Sequence, residues 1–238
     1  MEITIYTLGR FSILRNGDPL RFKSKKPRVP LNLLATLIAF GGREVPAERL
    51  CDALWPDSEG DRAGQALATT LFRLRELLGV EAIQRRGHQL TLNHATCWVD
   101  CWALERLFNS STEDPFTVFS KISGLYQGPF LMSEGDNVSW LHVREHLHRK
   151  VLRYIATCAG ALEREGRYDK VTQVLVRGLE IDRTNEDFVR GVMRAYAVLD
   201  RPGEGVIAYR HWHRSVVSLT GGEPSAKTQH LYQSLLAG

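Results

Sequence analysis

The chain lacks what would take it across a membrane or out of the cell. No apolar run approaches the roughly 20 residues that a membrane helix needs, and no signal-peptide core opens the sequence. A cytoplasmic location and no membrane partner are therefore expected. The four cysteines, Cys51, Cys97, Cys101 and Cys158, form no CxxC pair and no disulfide-scaffold spacing. They fit reduced, mostly buried thiols. Also missing are a P-loop, a GxGxxG turn and a GxSxG elbow, and no catalytic serine or cysteine context is recognisable. No cofactor and no enzymatic activity are expected.

Two histidine motifs look like exceptions. His142-Val-Arg-Glu-His146 matches the H-x-x-E-H pattern of inverted zinc peptidases, with both imidazoles on one side of a helix. It has no identifiable third acidic ligand, and the surrounding helix is simply amphipathic, so no metal is expected. In His211-Trp-His213 the two rings point about 200° apart on a helix and cannot share a metal.

What the chain does have is the composition of a folded protein. Of its 238 residues 43% are hydrophobic and 24% charged. Its length suits two domains of about 100–150 residues each. The net charge is only +4, which permits an anionic partner without requiring one. The positives do cluster, with Arg21, Lys23, Lys25, Lys26 and Arg28 close together.

The first residues alternate as strands do, with Ile3 and Ile5, then Phe11 and Ile13, on one face. A turn at Asn16-Gly-Asp-Pro19 leads to a returning strand at Leu20-Arg-Phe22. Leu31, Leu34, Leu37 and Ile38 then mark a first helix ending at Gly41-Gly42, and Ala47 to Trp55 reads as a short second one. A third helix covers about Arg62 to Leu78. Gly79 closes it, and a basic hairpin from Ile83 to Leu92 turns at Gly87.

From Trp98 onward the pattern is helical throughout, including a long helix from about Val138 to Glu165 and three or four further helices. Gly166-Arg-Tyr-Asp and Asp200-Arg-Pro-Gly stand 34 residues apart, as do Leu175 and Tyr209. Thirty-four is the tetratricopeptide period.

At 100° per residue, Leu67, Leu71, Leu74 and Leu78 share one stripe of the third helix and face the core. Gln65, Ala68, Thr69, Phe72, Arg73 and Glu76 lie opposite, with Arg75 on the flank. Phe72 is the anomaly. Packing on a neighbouring element is favoured for it, and contact with a thymine methyl is the sharper alternative. A helix offered to a groove and followed by a flap with Arg85 and Arg86 at its tip is how a winged helix-turn-helix meets DNA. Arg73, central on the exposed face, suits guanine; Arg75 suits a phosphate, and Arg85 and Arg86 suit phosphates or the adjacent minor groove. Each arginine alone reads as a solvated residue in a weak ion pair, such as Arg73 with Glu76. Helix and wing together, sharing one outward surface, do not.

Several ordered segments resemble one family. Leu8-Gly-Arg-Phe-Ser-Ile13, Lys25-Lys-Pro-Arg28, Leu50-Cys-Asp-Ala-Leu-Trp55 and Leu71-Phe-Arg-Leu-Arg-Glu-Leu-Leu-Gly79 resemble an OmpR-type winged helix. Trp98-Val-Asp100, Leu125-Tyr-Gln-Gly-Pro-Phe-Leu131, Trp140 with Arg144-Glu145, Tyr209 and Gly222-Glu-Pro-Ser-Ala-Lys-Thr228 resemble a bacterial transcriptional activation domain. The whole is similar to activators of the Streptomyces antibiotic regulatory protein type.

The resemblance implies a mainly α fold with a small β component: a winged helix-turn-helix over 1–96 and a tetratricopeptide-like all-α domain over 97–238. It implies a transcriptional activator that binds duplex DNA at promoter repeats, as a homodimer or in tandem, and contacts RNA polymerase. For DNA binding the resemblance carries over Arg73 and Arg75 on the helix and, less exactly, Arg85 and Arg86 in the wing; the exposed helix face adds Gln65, Thr69 and Phe72, and the basic run adds Lys25 and Lys26. Two alternatives stay open: an interaction or ligand-sensing adaptor whose winged helix no longer reads DNA, and the output end of a larger signal-transducing regulator.

Overall fold

The computed structural model of the protein describes residues 2–21, 27–58, 60–109, 113–135 and 137–237. The chain folds as two compact units that interleave in sequence: residues 1–106 with 125–147, and residues 107–124 with 148–238. Sequence pattern places a single division after residue 96.

The first unit opens with strand β1 (Ile3–Tyr6), whose Ile3 and Ile5 are buried while their neighbours are half-exposed. It pairs antiparallel with β2 (Ser12–Arg15), which pairs with β3 (Asp18–Pro19). Sequence pattern places the return at Leu20–Phe22, but it begins two residues earlier. Asn16 and Gly17 both have positive φ, 52° and 88°, a two-residue turn that hands the chain straight back. Phe22 lies outside the described residues.

A strand that the sequence reading assigns to helical territory closes this sheet. β7 (Cys97–Val99) runs parallel to β1 on its free edge, Ile3 opposite Cys97 and Ile5 opposite Val99. Three residues are too few to show alternation, and their partner lies at the start of the chain.

Asp100 follows at once and begins α4 (Asp100–Phe108). Its buried carboxylate accepts from the Thr7 backbone N–H (2.8 Å), the Thr7 hydroxyl (2.6 Å), the Leu8 N–H (2.9 Å) and the Cys101 N–H (2.7 Å). Burial pushes its carboxyl above the ordinary range, against the pull of those donors.

Helices α1 (Arg28–Ala39), α2 (Ala47–Leu54) and α3 (Gly60–Leu78) pack on one another through Leu34, Leu37, Leu50, Leu71 and Leu74, all fully buried or nearly so. Beside them β5 (Ile83–Arg86) and β6 (Gln89–Leu92) form the hairpin, and β4 (Val45–Pro46) pairs with β6 to make a three-stranded sheet. With Gly87 at φ 58° in its turn, the architecture is a winged helix-turn-helix.

Residues 125–147 return to this unit. Leu131 donates its N–H to the Thr7 carbonyl (2.7 Å), and Leu8 bridges to Phe130. Arg144 donates from Nε to the Phe130 carbonyl (3.0 Å), and the Trp140 indole N–H reaches the Thr36 hydroxyl (3.1 Å).

The second unit is helical among its described residues. It comprises α5 (Pro115–Leu125), much of α6 (Val138–Arg164), α7 (Tyr168–Ile181), α8 (Glu186–Val198), α9 (Pro202–Thr220) and α10 (Ala226–Ala237). The 34-residue period is written in its backbone. Gly166 donates to the Glu163 carbonyl and Arg167 to that of Leu162; Asp200 donates to Ala197 and Arg201 to Tyr196. Both turns are the same helix stop, with φ 71° at Gly166 and 58° at Asp200. Small residues set the helix spacing within this stack. A Cβ at Gly178 would fall 2.7 Å from the Phe188 ring, and one at Gly191 would fall 2.5 Å from Leu175. This is the tetratricopeptide-like arrangement, in which each helix pair buries its apolar face on the next.

Candidate nucleic-acid interface

Helix α3 divides as its periodicity requires. Ala63, Leu67, Leu71, Leu74 and Leu78 are buried, and Gln65, Ala68, Thr69, Phe72, Arg73 and Glu76 are exposed. The buried stripe anchors the helix on α1 and α2 and so fixes the orientation of the opposite face.

Arg73 has no hydrogen-bond or ion-pair partner among the described residues, so its planar fork of donors is free to meet a ligand. The Arg73–Glu76 pair that helix spacing allows is not formed. Thr69 turns its hydroxyl proton back onto the Gln65 carbonyl (3.0 Å). It therefore presents a methyl and acceptor lone pairs, not a donor. Phe72 is 63% exposed. Among the described residues the expected cover from a neighbouring element is absent, and the ring is exposed on the helix's outer face.

Arg75 behaves differently from the other arginines. Its Nε and Nη2 both donate to the Ile83 carbonyl, at 3.1 and 2.8 Å. It ties the last turn of α3 to the first residue of the wing, and its guanidinium is partly committed before any ligand arrives.

In the wing, Arg85 and Arg86 are both exposed, but successive strand side chains point to opposite faces. Arg85 donates from Nε to the Gly87 carbonyl (3.2 Å), and its charge reaches the Cys51 thiol of α2. Arg86 leaves by the other face without a partner among the described residues. The structure thus separates two arginines that the sequence reading treats as one pair. Lys25 and Lys26 lie outside the described residues. Of the same basic run, Arg21 and Arg28 are exposed.

One further side chain belongs to this face. Arg62, in the first turn of α3, is exposed and lies about 20° around the axis from Arg73 at 100° per residue. Arg62 is not among the candidates that the central exposed face supplies. Extending the same angular count to the helix N-terminus, the end that meets base edges in helix-turn-helix domains, finds it.

His142 and His146 stack at 6.2 Å, and His146 lies 3.4 Å from Glu105. No cluster of three metal-ligating side chains occurs among the described residues. None of the described helices is long and apolar enough to cross a membrane.

The exposed Arg62 and Arg73 beside a basic flap, in a chain that continues into helical repeats, define a winged-helix domain followed by a helical repeat domain. The chain belongs to the bacterial transcriptional activator domain family, which matches it over residues 109–236, more than half its length. Among solved structures it is similar to Mycobacterium tuberculosis EmbR, determined in complex with a low-affinity phosphopeptide. The two are 19% identical with a TM-score of 0.65; the match covers 99% of this chain and 65% of that one. No curated protein sequence matches it. The family match makes residues 109–236 a bacterial transcriptional activator domain, and the likeness to EmbR shows a shared fold.

Proposed function

We propose that this activator reads duplex DNA with the outer face of α3, steadied by the β5–β6 wing. The observation that carries the reading is the state of Arg73: exposed, central on the face, and unpaired among the described residues. Its fork suits the O6 and N7 atoms of guanine. Arg62 and Gln65, toward the helix N-terminus, offer further donors to base edges, and the Phe72 ring suits a thymine methyl. Arg86, Arg85, Lys25 and Lys26 contribute phosphate contacts that hold the register. Arg75 acts mainly by fixing the wing to the helix, with its remaining N–H groups toward phosphate.

On this reading residues 1–96 carry the DNA-reading elements and residues 97–238 the activating part, which contacts RNA polymerase. The chain occupies promoter repeats as a homodimer or in tandem. The family match to a transcriptional activator domain supports this division of labour.

Gel-shift titration on a matched site, selected from a random duplex pool, and on its scrambled counterpart tests the reading. Arg73→Ala is expected to cost about 1–3 kcal/mol on the matched site and far less on the scrambled one. Equal losses on both would remove its base-reading role. No shift of any duplex at low salt would favour an interaction adaptor instead.

A further inference from the structure

The helical repeat unit carries a second feature that DNA reading does not use. Helices α7 and α9 occupy equivalent places 34 residues apart in the repeat, each packed on α8, and a groove opens between them. Its floor is apolar, with Val176 and Leu179 from α7 and Ala208 and Trp212 from α9, and the open groove has a volume of about 390 Å³. A second hollow of about 360 Å³ adjoins it, and the two share Arg183, His211 and Ser215. This second hollow is polar and cationic: Arg183, Arg214 and Ser218 all line it.

The cationic end is built by helical spacing. His211, Arg214, Ser215 and Ser218 stand at i, i+3, i+4 and i+7 and so share one side of α9. Neither Arg183 nor Arg214 has an acidic partner among the described residues. Arg214 donates from Nε to the Arg210 carbonyl (3.4 Å), which leaves its terminal nitrogens open. Ser218 keeps its hydroxyl donor free among the described residues. The one carboxylate lining the hollows, Glu180, is already bonded to Arg177 at 2.6 Å. The positive charge there is not neutralised from within.

We infer that this groove binds a small amphiphilic anion, with a phosphate or carboxylate head between Arg183 and Arg214 and an apolar body against Val176, Leu179 and Trp212. Arginine forks suit either head group. The combined hollows have the size of a small-molecule site, with apolar walls and a few convergent polar groups. The inference does not depend on DNA binding.

Isothermal titration calorimetry of the full chain with naphthyl phosphate, naphthoate, uncharged naphthol and inorganic phosphate tests it. At least one of the two charged naphthyl compounds is expected to bind at least tenfold more tightly than naphthol and than inorganic phosphate. Whichever of the two is tighter identifies the head group. The double variant Arg183→Ala/Arg214→Ala is expected to lose at least tenfold for that compound while its thermal melt is unchanged, and Ala208→Trp to block the body. Naphthol binding equally well would overturn the anionic half. Inorganic phosphate binding equally well, or Ala208→Trp without effect, would overturn the apolar half. No binding of either charged compound, or an unaltered double variant, would overturn the site itself.

Discussion

At the scale of the residue, Asp100 does more for the first unit than any side chain of the DNA face. Its carboxylate gathers donors from Thr7, Leu8 and Cys101 inside the protein. Removing it leaves several buried N–H groups without an acceptor, and each such loss costs about 1–3 kcal/mol. Asp100→Ala is expected to destabilise the protein by about 3 kcal/mol, measured by urea denaturation. A loss within about 0.5 kcal/mol would mean that water replaces the carboxylate. Gly9 makes a second test. It has φ 85°, and a Cβ there would lie 2.9 Å from the Gln127 backbone. Gly9→Ala is expected to cost more than about 1 kcal/mol, by strain and by parting the segments that Gly9 and Pro129 join.

At the scale of the element, the two repeat turns invite a paired experiment. Gly166 and Asp200 occupy the same left-handed position, glycine without penalty and aspartate with one. Gly166→Ala is expected to lower stability by about 1 kcal/mol, and Asp200→Gly to raise it by a few tenths to about 1 kcal/mol, both read from thermal melts. Opposite signs are the signature of equivalent turns; the same sign at both positions would deny it.

The wing offers another test at this scale. Arg75→Ala cuts the tie to the Ile83 carbonyl and should loosen the hairpin. Hydrogen exchange in residues 83–92 is expected to accelerate, with DNA affinity falling on matched and scrambled sites alike. The helices were legible in the sequence because Leu67, Leu71, Leu74 and Leu78 repeat at the helical period. Arg75's role was not. Angular counting places it on a flank, but its acceptor is a carbonyl beyond a glycine turn, and no periodicity predicts that.

At the scale of the whole molecule, the same contrast decides where the chain divides. The repeat turns and the exposed strip around Arg73 could be read from local pattern. The β7 edge, the Asp100 network and the return of residues 125–147 could not, because each joins residues far apart through a few backbone bonds. A fragment ending at residue 96 lacks all three. It is expected to melt without a sharp transition, or on the order of 10 °C below a fragment ending at residue 147. Circular dichroism of the two fragments checks this. The longer fragment should also retain DNA binding with a strong salt dependence, since each phosphate contact adds roughly 0.9 to the slope of log affinity against log salt.

The parallel pairing of β1 with β7 also sets a timetable for the growing chain. A ribosome delivers Ile3 long before it delivers its neighbour Cys97, and later still the Trp140 that meets Thr36. The earliest strand must wait with one edge open while most of its unit is made. Stalling translation shortly after residue 96 would leave that edge for other chains to find.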